Sequence, residues 1–95
     1  MEDESRALRA VVHGRVQGVG FRYFVLDSVA DLKLTGWVRN RRDGAVEVLA
    51  EGPHEHLDAL LDCLRQGPRA ARVEQVETEW PAPTGQFRQF EITHV

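Results

Sequence analysis

Nine consecutive residues hold the most pointed chemistry of this chain: Gly14-Arg15-Val16-Gln17-Gly18-Val19-Gly20-Phe21-Arg22. Glycine has no Cβ, so backbone N–H groups around it can turn toward one point and form a nest for a small anion. The apolar spacing that begins at Phe21 predicts a helix, and a helix start adds unpaired N–H donors and a partial positive charge. Arg22 falls in the first helical turn, where its planar guanidinium can hold two oxygens of a phosphate. Loop, helix start and arginine therefore describe a site for a small phosphate-bearing anion. The stretch is neither the Walker A pattern nor the dinucleotide fingerprint.

Charge is distributed to suit such a ligand. The chain carries a net charge of −3, which gives no general attraction for nucleic acid. Yet residues 13–42 hold Arg15, Arg22, Lys33, Arg39, Arg41 and Arg42 against only Asp27 and Asp31. The bland alternative is a solvated basic face. Other constellations are weaker. His54 and His56 stand two apart and do not share a helix face, and His13 and His94 complete no metal-ligand spacing. No metal site and no cofactor are expected. Asp43, Glu47 and Glu51 read as solvated turn and strand charges, with no carboxylate pair spaced for acid–base work. The single cysteine, Cys63, excludes an internal disulfide and flanks an apolar stripe, which favours a structural role.

The elements that must position these residues follow from periodicity. Leu8, Ala10 and Val12 alternate with Arg9, Val11 and His13, a strand that runs into the glycine loop. Phe21, Phe24, Val25, Ser28, Val29 and Leu32 recur at helical spacing. Residues 37–41 read as a strand, Arg42-Asp43-Gly44 as a hairpin turn, and residues 46–51 as the returning strand. Pro53 suits the first turn of a second helix, whose stripe is Leu57, Leu60, Leu61 and Leu64, and Gly67-Pro68 ends it. Residues 73–80 form a fourth strand, Pro81-Ala82-Pro83 a break, and Phe90 and Ile92 a short last strand. The order is β-α-β-β-α-β with a short fifth strand: an α+β, ferredoxin-like split βαβ, with an antiparallel sheet covered on one face by two helices. At 95 residues, a single domain over 1–95 is expected. The acidic N-terminus has no apolar run for a signal peptide, and no stretch reaches the ~20 residues of a membrane span, so a cytoplasmic location is expected.

The run Gly14-x-Val16-Gln17-Gly18-Val19-x-Phe21-Arg22, then Gly36-Trp37-Val38-Arg39-Asn40, then Asp43-Gly44-x-Val46-Glu47, resembles the acylphosphatase family in motif, order and spacing. The resemblance implies a hydrolase that splits the carboxyl–phosphate bond of acyl phosphates, as a monomer without cofactor. It implies that Arg22 binds the substrate phosphate and that Arg15, Val16, Gln17, Gly18, Val19 and Gly20 supply backbone N–H donors. It implies that Asn40 positions the attacking water. The partners are then a small acyl phosphate and inorganic phosphate, with no nucleic acid and no membrane. Lys33 departs from the glycine common in the family after the first helix; in a left-handed cap it costs about 1 kcal/mol.

So few groups suffice for this reaction. The leaving carboxylate has a pKa of roughly 4 and departs without a proton. Phosphoryl transfer passes a loose transition state with charge on the equatorial oxygens, which fixed N–H donors and an arginine stabilise. An asparagine amide can aim a water but is no strong base. The water's proton then goes to the substrate phosphate, or leaves after attack. Two rivals use the same fold. One is a carbamoyl- or acyl-phosphate-handling module of a larger assembly, such as those that open hydrogenase-maturation carbamoyltransferases, against which a free-standing 95-residue chain argues. The other is an RNA-recognition domain, which needs sheet aromatics and a basic balance. Residues 8–13 and 45–51 contain no aromatic.

Overall fold

The structure, a computed structural model, describes residues 4–94. Seven elements follow in order: β1 (Ser5–Arg15), α1 (Phe21–Ala30), β2 (Thr35–Asn40), β3 (Val46–Pro53), α2 (His54–Gln66), β4 (Arg72–Glu79) and β5 (Phe90–Ile92). Strand alternation sorts side chains onto two faces. Leu8, Ala10 and Val12 of β1, Val38 of β2, and Val46, Val48 and Ala50 of β3 are fully buried under the helices. Phe21, Val25 and Val29 of α1 and Leu57, Leu60, Leu61 and Leu64 of α2 close the core from the other side. Phe21 and Phe24 meet edge-on with ring centroids 5.7 Å apart, which makes them packing residues. Among the described residues no helix is long and apolar enough to cross a membrane.

The sheet order is β4-β1-β3-β2-β5. β1 to β4 pair antiparallel, as expected. β5 joins the free edge of β2 in parallel, pairing Gly36 with Phe90 and Val38 with Ile92, so the sheet is mixed at that edge. The connection 80–89 accounts for the direction. It passes Glu51, at the end of the sheet where β2 begins, and there the Glu51 carboxylate accepts hydrogen bonds from Thr84 N, Thr84 Oγ1 and Gly85 N at 2.8, 3.0 and 3.0 Å. Glu51 is consequently only 4% exposed.

Glu51 and its neighbour on the same strand correct one expectation: neither is a solvated strand charge. Glu47 is 3% exposed on the face away from the helices. Its Oε1 accepts from Arg39 Nε and Nη2, both at 2.9 Å, and its Oε2 pairs with Arg9. Register explains this: Arg39 stands directly opposite Glu47, and Arg9 lies diagonally across from it on β1. Asp43 is exposed, as expected of a turn charge. Pro53 ends β3 and sits one position before the first turn of α2, with φ −61°. Lys33 adopts φ 55° in the turn after α1, as a glycine-preferring cap would. At Gly14 the reason for glycine is a neighbour. β1 shifts register there against β4, and a Cβ would lie 2.1 Å from the Arg72 carbonyl oxygen.

Candidate active site

The glycine-rich segment leaves β1 at Arg15, which is the last residue of that strand, so the loop proper spans 16–20. Val16 is buried and anchors the loop to the core, with Val19 packed partly against it. Gly18 and Gly20 are exposed and left-handed, with φ 75° and 78°, whereas Gln17 and Val19 are not. Backbone of alternating handedness can turn successive N–H groups toward one side, as anion nests do. A Cβ on either glycine would meet nothing within 4 Å, so the space beside them is open.

α1 starts without a side-chain cap: its N-cap is Gly20, and the first helical bond runs from Phe24 N to Gly20 O at 3.0 Å. The N–H groups of Phe21, Arg22 and Tyr23 precede that bond and have no intrahelical acceptor. Arg22 is half-buried in this first turn. Among the described residues no carboxylate forms an ion pair with Arg22 or Arg15, whereas Arg6, Arg9, Arg39 and Arg41 are all paired.

Asn40 is the last residue of β2 and stands opposite Val46. It shares the side of Val38, which faces the helices, so it lies on the face that carries α1 and at the end where β1 releases the loop. A side chain fastens the two parts together. Gln17 Nε2 donates to the carbonyl oxygens of Arg41 at 2.7 Å and Ala45 at 3.0 Å. Between those residues the turn is closed by Arg41 N to Ala45 O at 2.8 Å, and by Ala45 N to the Asp43 carboxylate at 3.1 Å. The Ala45 N–H first, and the Arg41 charge with it, hold the Asp43 carboxyl below the usual carboxylate range. The fold thus brings loop 16–20, the start of α1 with Arg22, and Asn40 to one end of the sheet, with Arg15 at its border.

Other candidates lie elsewhere. A shallow depression of about 480 Å³ opens on the uncovered face beside Arg9, Arg39, Arg41, Arg42, Asp43 and Glu47. Its cations are largely matched: Glu47 takes Arg9 and Arg39, and Asp43 takes Arg41 at 2.9 Å. Burial alone would push the Glu47 carboxyl up; the hydrogen bonds and charges of Arg39 and Arg9 outweigh it and hold the group below its ordinary value. His13 pairs with Glu77, and His54 pairs with Asp58 at 3.2 Å and stacks on Trp80 with centroids 5.0 Å apart. Sequence reasoning assigned Gln17 only a backbone role and overlooked its side chain. Nothing in a single sequence signals those two bonds, because both acceptors are backbone carbonyls more than twenty residues away.

The family model for Acylphosphatase matches residues 8–92. The acylphosphatase of Koribacter versatilis is 51% identical over 92 residues, covering 97% of this chain and 84% of that relative. The chain belongs to the acylphosphatase family. The crystal structure of acylphosphatase from Bacillus subtilis superposes with a TM-score of 0.89 at 40% identity, covering 93% of this chain and 98% of that one. The structure of T. kodakarensis HypF gives a TM-score of 0.80 at 34% identity, covering 93% of this chain but 12% of that one. The family match takes in all of the candidate positions, from Arg15 to Asn40.

Proposed function

We propose that this member of the acylphosphatase family hydrolyses acyl phosphates at the end of the sheet where loop 16–20, Arg22 and Asn40 meet. Arg22, the N–H groups of residues 15–20 and the start of α1 hold the phosphoryl oxygens. They bind in the ground state and more strongly as charge develops on the equatorial oxygens, because fixed dipoles need no reorganisation. Asn40 directs the attacking water through its amide. A new P–O bond forms from the water as the bond from phosphorus to the acyl oxygen breaks. The electron pair leaves with the carboxylate, which needs no proton at neutral pH. The water's proton passes to a phosphate oxygen, or is lost after attack. No step calls for a Lewis acid.

The observation that carries this reading is the meeting of the alternating-handed glycine loop and an uncapped helix start with Asn40, on one face and at one end. The active unit in this proposal is the single domain 1–95, acting as a cytoplasmic monomer; the family match over residues 8–92 supports its extent.

The test is phosphate release from a synthetic acyl phosphate by the purified chain and its Asn40→Ala variant. An interaction made only in the transition state lowers kcat and kcat/KM together when removed. By analogy with oxyanion-hole donors, Asn40→Ala loses roughly 10²–10³-fold in kcat and retains its inhibition by inorganic phosphate. Near-parental kcat, or phosphate affinity lost in step with rate, would refute the water-directing role. An inactive parent chain would favour the module reading, in which the domain works only within a larger assembly.

A further inference from the structure

We propose that the Gln17 side chain is a positioning residue for catalysis: its amide sets the β2–β3 hairpin, and with it Asn40, in register with the phosphate loop. The inference rests on the proposed water-directing role of Asn40 and assigns a second residue to it.

The hydrogen-bond pattern is specific. Both acceptors of Gln17 are backbone carbonyls, so the atom between them is the amide nitrogen and each of its hydrogens has one partner. The acceptors flank the hairpin mouth: Arg41 directly follows Asn40, and Ala45 directly precedes Val46, the register partner of Asn40. Each carbonyl already accepts a bond within the turn, from Gly44 N at 3.3 Å and from Arg41 N at 2.8 Å, so Gln17 adds to a closed turn. Among the described residues these are the side-chain hydrogen bonds that join loop 16–20 to hairpin 41–45.

The chemistry singles out glutamine. The position calls for two N–H donors on one atom, without charge, at the end of a side chain long enough to leave the loop. Glutamate of the same length, when ionised, offers only acceptors to two carbonyl oxygens. Methionine matches the length and offers no donor. Val16, directly before it, is buried in the core, which anchors the loop position from which Gln17 reaches. An in-line water must be aimed within a fraction of an ångström, and a misplacement of about 1 Å costs roughly 10²-fold in rate. Gln17 links the group that aims the water to the groups that hold the phosphorus.

The test is a kinetic cycle with Gln17→Met and Gln17→Glu, each made alone and with Asn40→Ala, assayed below the melting range. Gln17→Met should lower kcat roughly 10- to 100-fold, with KM and the inhibition constant for inorganic phosphate within about threefold of the parent. In the Asn40→Ala background the same change should lower kcat less than about threefold, because the group it positions is gone. Gln17→Glu retains the size and polarity of the parent residue. Its kcat relative to the parent should rise as pH falls through the carboxyl's titration, since the protonated acid regains one donor. Additive losses in the double variant, phosphate affinity lost in proportion to rate, or parental kcat in Gln17→Met would each overturn the proposal. If Asn40→Ala itself turns over normally, both the water-directing reading and this inference fall. If Asn40→Ala is impaired while Gln17→Met is not, only this inference falls.

Discussion

Replacing Glu47 by glutamine tests the ion network that the sequence concealed. The change preserves shape, removes the charge, and turns one of the two oxygens that Arg39 and Arg9 share between them into an NH2 donor that faces a guanidinium. Two limits bracket the cost. An exposed pair contributes about 0–1 kcal/mol, and breaking a fully buried one costs about 3–5 kcal/mol. The carboxylate is on the buried side of that range, at 4% side-chain exposure, but the side chains of Arg9 and Arg39 are 36% and 33% exposed, so their guanidinium groups can rehydrate. Arg9 also retains Glu79 at 3.1 Å. The expected loss is therefore about 2 kcal/mol at pH 7, a fall of roughly 10 °C in Tm for a domain of this size. The pH dependence has a definite sign. The folded-state carboxyl is held below its unfolded value, so its contribution is complete above about pH 4.3 and is lost as pH falls through the folded value. Denaturant titrations of parent and variant at pH 7, 5 and 3 should show a gap that narrows on acidification. A gap below about 0.5 kcal/mol at pH 7, or one that does not change with pH, would refute the network's role.

Three further outcomes are expected. Arg22→Lys retains the charge and loses the fork, which at 1.5–3 kcal/mol for a charge-assisted bond should cost roughly 10²-fold in kcat/KM and weaken inhibition by phosphate; parallel kinetics for both enzymes would remove Arg22 from the clamp. Acyl phosphate hydrolysis should survive excess chelator, and loss of activity restored by added magnesium or zinc would contradict the proposed mechanism. Lys33→Gly should raise stability by about 1 kcal/mol, or roughly 5 °C in Tm, with kcat unchanged, because glycine takes φ 55° without a Cβ penalty; a lowered Tm would show that Lys33 contributes more than strain.

How much of this was legible beforehand depends on the range of the interaction. Residues whose environment is set by their own element were read correctly. The alternation of Leu8, Ala10 and Val12 and the stripe from Leu57 to Leu64 both fell on the buried side. The loop glycines were read as leaving the backbone free to form a nest, and the structure adds that Gly18 and Gly20 are left-handed. Glu47 and Glu51 were misread because their burial comes from other strands and from segment 80–89. An outward position on a strand says nothing about which arginines stand opposite until the register is known. Gln17 was named for its backbone and missed for its side chain, because its acceptors depend on how the loop sits against a hairpin. Gly14, counted with the loop in sequence, turned out to serve the approach of β4.

The Glu51 contact also affects how the chain can order itself. From β4 at one edge to β5 at the other, ten residues must traverse three intervening strands, and the strand they deliver is three residues long. So short a strand gains little from its own ladder. Fastening Thr84 and Gly85 in mid-passage divides one long closure into two short arcs, each with a smaller entropic penalty. β5 and Gly36 are more than fifty positions apart in sequence, and contacts of such separation form slowly when nothing local prepares them. The Glu51 contact brings Thr84 and Gly85 beside the start of β2, a few residues before β5. A carboxylate at the opposite end of the sheet from the candidate active site thus helps to seat the strand that makes β2, which ends in Asn40, interior over residues 36–38.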